Sequence, residues 1–352
     1  MPLLFRTRLV VPLVLVLCGL VVRTPALPSP RPSSPALDRL VSAGGAPGAA
    51  LLAEAPGAVR FQTAGHGMGR ADRFRAGSIT KTFVATVVLQ LAAERRLALG
   101  DTVAARLPGL LPEPVARRIT VRQLLTHTSG LPDYVPPTGP PTPEAAVRAA
   151  LAARPARPPG RYAYANTNYV LLGLLVTRVT GRPYAAEADR RILTPLRLTG
   201  TSFPGSRTTL PSPHGRGYDA GGRDVTVLDP RIAGAAGELV STLDDLNRFY
   251  AALLGGRLLT PPQLRELLAT TAAGGRYGMA LYPVALSCGA TVWGHNGRIP
   301  GSYVRTAATR DGRHVVTFRT NTDALADVPG TPLETALLEA EFCPGPPGTA
   351  AS

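Results

Sequence analysis

Lys81 is the only lysine of the chain, although the sequence contains 38 lysine and arginine residues. Arginine stays protonated in proteins, whereas a partly buried lysine can lose its proton and act as a base. Ser78 precedes Lys81 by three residues, and an apolar run follows at residues 82–91. On a helix this spacing stacks the two side chains on one face, one turn apart. The pattern predicts a buried helix whose first turn presents Ser78 beside a basic Lys81, where free N–H groups favour a developing oxyanion.

A purely structural interpretation of the same segment exists. The motif S-x-x-K is short, and a serine that precedes an apolar helix is often only an N-cap. The catalytic hypothesis therefore needs partners elsewhere in the chain.

Tyr164 and Asn166 form a second candidate pair, in a loop that precedes an apolar helical pattern. Two residues apart, their side chains can point the same way. A tyrosinate stabilised by a neighbouring lysine can serve as general base, and an asparagine amide can hold a substrate amide or carbonyl. The alternative is that both are ordinary residues of a loop-to-helix junction, with Asn166 as a cap.

His295 and Gly297 form a third candidate group, at the end of a strand predicted for residues 290–294. His295 could donate a hydrogen bond to a substrate or help to keep Tyr164 ionised, and Gly297 lets the backbone approach a ligand closely. A lone histidine at a strand end is more often structural. The other histidines, at positions 66, 127, 214 and 314, have no such context, and we expect them to be structural.

The N-terminal segment has the layout of a secretory signal peptide: Arg6 and Arg8, an apolar run at residues 9–22, and a small-residue site that predicts cleavage after Ala26. We expect a Pro/Ser-rich linker at residues 27–45, a folded domain at 46–344 and a disordered tail at 345–352. In a secreted protein the two remaining cysteines, Cys288 and Cys343, are expected to form a disulfide. Two cysteines without a histidine cluster do not predict a metal site.

The formal net charge is +15. The arginines are scattered and only 5% of the residues are aromatic, so nucleic acid is not the expected partner. Two explanations of the charge remain: attraction to anionic wall polymers of an exported protein, and arginine accumulated through coding bias.

Strand patterns lie at both ends of the chain and helical patterns between them. A hairpin is predicted around residues 55–57, helices near 119–126, 143–153, 168–180, 184–193 and 243–254, strands at 302–309 and 314–320, and a last helix near 332–342. This order suggests a mixed α/β fold in which N- and C-terminal segments build one sheet around an inserted helical region.

Taken together, Ser78-Ile79-Thr80-Lys81, Tyr164-Ala165-Asn166 and His295-Asn296-Gly297 resemble the three ordered motifs of serine penicillin-recognising enzymes, in the branch of secreted DD-carboxypeptidases and class C β-lactamases. Residues 124–131 and 286–289 are also similar, and the resemblance extends over about 48–343. It implies a β-lactamase/transpeptidase-like fold, with an antiparallel sheet flanked by helices and an inserted all-helical subdomain.

Two positions depart from that pattern. Some DD-carboxypeptidases hold the substrate carboxylate with an arginine thirteen residues before the third-motif histidine, and Tyr282 stands there in this chain. Asn296 replaces a usual threonine, and Arg298 occupies the position whose backbone N–H the family uses as an oxyanion donor. The Arg298 side chain is a candidate for the missing cation.

The resemblance implies a secreted serine acyl hydrolase similar to a D-alanyl-D-alanine carboxypeptidase, expected to be monomeric and to need no cofactor. Ser78 would attack a cell-wall peptide or another small acyl substrate, with help from Lys81 and Tyr164, and β-lactams would be covalent ligands. An esterase or β-lactamase with the same machinery is the first alternative. A noncatalytic wall-binding protein is the second, although a pure binder need not retain both nucleophile and base.

Overall fold

The computed structural model describes residues 34–134, 142–326 and 332–343. The predicted signal peptide, residues 27–33 of the predicted linker and the 345–352 tail lie outside the described residues. No helix within the described ranges has both the length and the hydropathy needed to cross a bilayer.

The main sheet is antiparallel, with strand order β2-β1-β8-β7-β6-β5. A two-stranded ladder of β3 and β4 lies apart from it. The strands are β1 (Gly48–Ala55), β2 (Ala58–Gly65), β3 (Phe74–Arg75), β4 (Val240–Ser241), β5 (Tyr282–Ala285), β6 (Thr291–Ile299), β7 (Ser302–Ala308) and β8 (Val315–Thr320). The N- and C-terminal segments thus build one sheet, which confirms the predicted mixed α/β architecture.

The helices lie on both faces of the sheet and in a region inserted between β3 and β4. They are α1 (Pro35–Ser42), α2 (Thr80–Ala93), α3 (Val103–Arg106), α4 (Glu113–Ala116), α5 (Val121–Leu125), α6 (Pro143–Ala153), α7 (Asn166–Thr180), α8 (Tyr184–Ala188), α9 (Thr194–Leu196), α10 (Leu243–Leu254), α11 (Pro261–Leu268) and α12 (Leu333–Phe342). Short 3-10 turns occur at Gly77–Ile79, Pro230–Ile232, Gly234–Ala236 and Thr271–Ala273, and Asp189–Leu193 forms a π-helical turn.

Side chains that alternate along the strands pack into two apolar layers, one on each face of the sheet. On β1, Leu51 packs with α1 and α12 on one face, whereas Leu52 joins the larger core that contains α2 and α10 on the other. Successive residues of a strand point to opposite faces, so a sheet covered on both sides needs continuous apolar runs. The burial of α2 is nearly complete, and Phe83 on this helix stacks on Phe249 of α10 at 3.7 Å between ring centroids.

Helix α1 corrects the linker prediction for residues 34–45. Ser34 caps this helix by accepting the N–H of Leu37, and Leu37 and Leu40 are completely buried against the sheet. The proline at the first helical position is compatible with a helix start, because it removes an N–H that would lack an intrahelical partner. Proline and serine here begin a helix and do not mark a linker.

Strand β6 extends beyond its predicted end. It continues from Thr291 to Ile299 and pairs with β7 from Trp293 onward. His295 is therefore in the middle of a strand, and β6 beyond Gly294 has no β5 partner on its other edge. The catalytic segment that begins α2 occupies this part of the edge.

Candidate active site

Ser78 lies in the 3-10 turn that leads directly into α2. The preceding Gly77 has φ of +50°, and a Cβ atom there would stand 2.8 Å from the backbone nitrogen of Arg298. Both facts favour glycine, because other residues rarely adopt that backbone and none would leave room for β6. Thr80 fixes the turn by donating to the Gly77 carbonyl at 2.6 Å and accepting the Leu239 N–H at 3.0 Å.

Lys81 is completely buried, and its Nζ atom has three oxygen neighbours. Ser78 Oγ lies at 2.9 Å, Asn166 Oδ1 at 2.8 Å and the Ala236 carbonyl at 2.6 Å. Burial lowers the pKa of Lys81 to about 7, and the charge of Asp133 opposes part of this shift. In the neutral amine, the amide and carbonyl oxygens take the two N–H groups, so the lone pair is left for the Ser78 hydroxyl proton.

The Tyr164 hydroxyl donates to Ser78 Oγ at 2.9 Å. Burial raises the pKa of Tyr164 well above the usual value for tyrosine, and the hydrogen bond to Ser78 only partly offsets it. One side of the residue still faces the cleft, since 37% of its surface is exposed. Burial therefore favours a neutral Tyr164 phenol, which can donate a proton, over the tyrosinate considered from the sequence.

His127 holds Tyr164 in place, although it was expected to be only structural. Its ring centroid lies 4.2 Å from that of Tyr164, and its Nδ1 accepts the Ala165 N–H at 3.2 Å. Its carbonyl accepts the Ala163 N–H at 2.9 Å, so both neighbours of Tyr164 are fixed by one residue. Complete burial lowers the pKa of His127, which keeps the imidazole neutral. The sequence signal was its place in the conspicuous segment 124–131.

Asp133 is a second residue that sequence reasoning missed. Its Oδ1 atom accepts the backbone N–H of Asn166 at 2.6 Å, at the start of α7. Asn166 in turn presents Oδ1 to Lys81. The carboxylate therefore positions the amide that accepts a hydrogen bond from Lys81, and its charge raises the pKa of Lys81. Asp133 lies only two residues beyond the segment 124–131.

Gly297 brings β6 against the serine segment. A Cβ atom at this position would lie 1.9 Å from the carbonyl oxygen of Ala76, a distance that only glycine avoids. Ile299 and Ser302 close a two-residue hairpin and form a hydrogen-bonded pair, so Arg298 occupies a non-hydrogen-bonded position. Its N–H is therefore directed to the opposite edge, beside Gly77 and Ser78. The Arg298 N–H and the Ser78 N–H, which lacks an intrahelical acceptor, are therefore the two candidate donors of an oxyanion hole.

His295 supports the site from below and does not face the serine. It is completely buried, and burial lowers its pKa to about 3. Its Nδ1 lies against the Asn296 carbonyl and must carry the proton, so Nε2 accepts from the Tyr277 hydroxyl at 2.9 Å. A neutral, buried imidazole with both nitrogens engaged neither donates to a substrate nor stabilises a tyrosinate. Both roles expected from the sequence are therefore corrected.

The carboxylate-binding position is also rearranged. Tyr282 stands in place of the arginine, and the guanidinium of Arg305 lies over its ring at 4.2 Å from the centroid. Arg305 is completely buried, and its Nε is 3.0 Å from Glu334 Oε1. Arg305 therefore pairs with Glu334 and packs on Tyr282 in the interior, and it does not line the cleft. Arg298 is exposed and lines a cleft of about 340 Å³ that also includes Ser78, Tyr164 and Asn166.

The structure joins Cys288 to Cys343 by a disulfide, with 5.8 Å between their Cα atoms. Cys288 follows β5, and Cys343 follows the last residue of α12. The bond therefore fastens the end of α12 near the outer strand of the sheet.

Comparison with known proteins places this geometry in a family. The Beta-lactamase family matches residues 36–339. Among curated proteins, the putative penicillin-binding protein PbpX of Bacillus subtilis is 28% identical over 72% of this chain and 66% of its own length. Penicillin-binding protein 4 of Amycolatopsis lactamdurans is 33% identical over 63% of this chain and 61% of its own. The chain thus spans about two thirds or less of the length of these relatives.

Two solved structures are similar over most of their length. A D-stereospecific amidohydrolase from Streptomyces sp. is 41% identical, with a TM-score of 0.80 over 88% of this chain and 97% of that one. A D-amino acid amidase from Ochrobactrum anthropi SV3 is 27% identical, with a TM-score of 0.76 over 87% of this chain and 98% of that one. The serine, lysine and tyrosine of this chain are linked by hydrogen bonds within a serine hydrolase fold of the penicillin-binding-protein type. The chain belongs to the Beta-lactamase family.

Proposed function

We propose that this protein is a serine amidohydrolase that cleaves amide bonds of D-amino acid derivatives through an acyl-enzyme on Ser78. The hydrogen-bonded chain from Lys81 through Ser78 to Tyr164 carries the proposal. It combines a nucleophile, a base whose pKa lies near neutrality and a phenol that remains protonated.

In the first half-reaction, neutral Lys81 accepts the Ser78 hydroxyl proton as Oγ bonds to the amide carbon. The N–H groups of Ser78 and Arg298 stabilise the tetrahedral oxyanion. Tyr164 donates its proton to the leaving nitrogen when the C–N bond breaks, which leaves a transient tyrosinate beside the protonated lysine. Water then attacks the ester carbon and gives its proton to the Tyr164 oxygen, and Lys81 returns its proton to Ser78 Oγ as the acid leaves, so that all three groups are restored.

Preference for the D configuration rests on similarity. The Streptomyces amidohydrolase is named as D-stereospecific and shares 41% of its residues with this chain. The overlap with that structure extends over 88% of this chain.

The test compares D- and L-phenylalanine amide at equal concentration, with a D-alanyl-D-alanine peptide, a nitrophenyl ester and a cephalosporin alongside. We expect turnover of the D-amide to exceed that of the L-amide by at least about tenfold, and Ser78→Ala to abolish both turnover and covalent labelling by penicillin. Equal rates for both enantiomers would refute D-specificity. Labelling of the Ser78→Ala protein would refute the assignment of the nucleophile.

A DD-carboxypeptidase remains the second candidate because of Arg298. Its side chain is exposed on the rim of the cleft, and among the described residues it has no carboxylate partner. It could hold a terminal carboxylate in place of the arginine that Tyr282 replaces. The variant Arg298→Gln should then raise KM for a peptide with a free C-terminal carboxylate and leave KM for the corresponding amide unchanged. Equal effects on both substrates would exclude this role.

We also propose that the protein acts outside the cytoplasm. The charged and apolar pattern of residues 1–26 supports export, and the Cys288–Cys343 bond suits an oxidising compartment. The N-terminal sequence of the protein recovered from culture medium tests this, because residue 27 should come first.

A further inference from the structure

A second concavity adjoins the catalytic cleft on the far side of Tyr164. Its volume is about 670 Å³, and the Tyr164 side chain belongs to the walls of both spaces. Three arginines line it, at positions 154, 157 and 161, and all three are exposed. We call this space the arginine groove. The catalytic mechanism derived above uses none of these arginines.

The arginine groove carries uncompensated positive charge. Within the described parts of the chain, none of its three arginines forms an ion pair, although many arginines elsewhere do. The carboxylate among its lining residues is Asp133, whose Oδ1 accepts the Asn166 N–H. A further exposed cation, Arg276, lies over the ring of the lining residue Tyr162 at 5.5 Å. Like charges held together without counterions favour an anionic ligand.

The loop that bears the three arginines is fastened to the catalytic region. Arg157 N–H donates to the Gly130 carbonyl at 2.9 Å, and Gly160 N–H donates to the Thr128 carbonyl at 2.8 Å. Gly130 has φ of +76°, and a Cβ atom there would come within 2.3 Å of the Arg157 carbonyl. Prolines at positions 155, 158 and 159 restrict the same loop further. A rigid loop presents its charges with little loss of backbone entropy on binding.

We propose that the arginine groove is a substrate subsite for carboxylates that lie beyond the scissile bond of a bound acyl substrate. A substrate with its carbonyl at Ser78 can extend past Tyr164 into this groove. The guanidinium fork matches the geometry of a carboxylate, which makes arginine suited to this recognition. The substrate class is therefore a D-configured amide or peptide that bears one or more remote carboxylates. This inference rests on the proposed function and specifies which substrates it favours.

The experiment uses pairs of D-configured amide substrates that differ only by a remote carboxylate or the carboxamide of the same shape. One pair carries this group on the acyl part and the other pair on the leaving part. The readout is the ratio of kcat/KM for carboxylate over carboxamide. Exposed ion pairs contribute about 1.4-fold to 5-fold each, so three together predict a ratio of about tenfold in the unmodified protein in one of the pairs.

The groove variant is Arg154→Gln/Arg157→Gln/Arg161→Gln. The matched control is Arg257→Gln/Arg265→Gln/Arg310→Gln, which removes the same charge from exposed arginines that line neither space. We expect the ratio to fall to about one in the groove variant and to persist in the control. Raising NaCl from about 0.05 to 0.5 M should lower it in the unmodified protein, because salt screens exposed charges.

A ratio near one in the unmodified protein, or an equal ratio in the groove variant, overturns the inference. The inference is also overturned if a polyphosphate binds in the arginine groove and the preference for the carboxylate substrate stays intact. The arginines would then serve surface attachment. If the amides are not hydrolysed at all, the proposed function fails. The same substrate pairs, measured by equilibrium binding to the full chain with Ser78→Ala, then decide the subsite separately.

Discussion

The depressed pKa of Lys81 predicts how acylation depends on pH. An ordinary lysine with a pKa of 10.5 is neutral in only about one molecule in 3,000 at pH 7. Burial lowers the pKa of Lys81 to about 7, so that about half of the molecules carry the neutral amine at this pH. The fold thus increases the population of the competent base by roughly a thousandfold. Since Lys81 must be neutral to accept the Ser78 proton, kcat/KM should rise about tenfold per pH unit below 7 and level off above it.

The pKa values of the histidines and of the tyrosine at the site are shifted away from pH 7, where Lys81 titrates. The pKa of His295 is lowered to about 3, that of His127 is lowered by burial, and that of Tyr164 is raised above the usual value for tyrosine. A single inflection near pH 7 is therefore attributable to Lys81. The variant Asp133→Asn should move it to lower pH, because the carboxylate charge raises the pKa of the ammonium.

The assay is the acylation rate of Ser78 by a nitrophenyl ester between pH 5 and 9.5, followed by intact mass. Circular dichroism at each pH confirms that the protein remains folded. A substrate without ionisable groups ensures that the profile reports the free enzyme. A rate that still rises tenfold per pH unit up to pH 9.5, or a flat profile across this range, would refute the reasoning that burial makes Lys81 the base.

Lys81→Arg should slow acylation by roughly a hundred to ten thousandfold, because arginine keeps the charge but cannot give up a proton; near-normal labelling of a folded variant would contradict this. In urea titrations, the stability of the unmodified protein relative to Lys81→Met should increase by about 1.4 kcal/mol per pH unit between 7 and 10, since folding lowers the lysine pKa and the unfolded chain binds more protons there. Gly297→Ala should reduce acylation by at least about tenfold, because its Cβ would collide with the serine segment, whereas Gly100→Ala, which meets nothing within 4 Å, is the matched control and should not. Cys288→Ser/Cys343→Ser should lose about 2–4 kcal/mol of stability, as expected for a bond that closes a separation of 55 residues, while retaining acylation below its melting temperature; two alkylatable thiols in the unmodified protein would remove the idea.

Local pattern in the sequence was sufficient for the elements that make their own signal. The Ser78–Lys81 spacing placed both side chains on one helix face, and the observed Nζ–Oγ distance of 2.9 Å follows from that spacing. The hairpin of β1 and β2 was predictable from two apolar stretches around a glycine turn. The order of strands and helices also indicated that the N- and C-terminal segments build one sheet.

The secondary structure of short segments with ambiguous composition could not be predicted from the sequence. Helix α1 begins in a proline- and serine-rich stretch, and only its burial against the sheet distinguishes it from a linker. The extension of β6 through Gly297 depends on pairing with β7, which no local pattern encodes. In both places, contacts distant in sequence outweigh local propensity.

The chemistry of the site depends on tertiary contacts. The sequence determined that one lysine stands a helical turn from one serine, but only the three-dimensional structure gives this lysine the properties of a base, because burial lowers its pKa and Asn166 and Ala236 accept hydrogen bonds from it. Burial also raises the pKa of Tyr164, which favours the proposed proton donor over a tyrosinate base. A proton affinity depends on solvent access and on charges and dipoles from every neighbouring segment, and these become fixed only when the chain is folded.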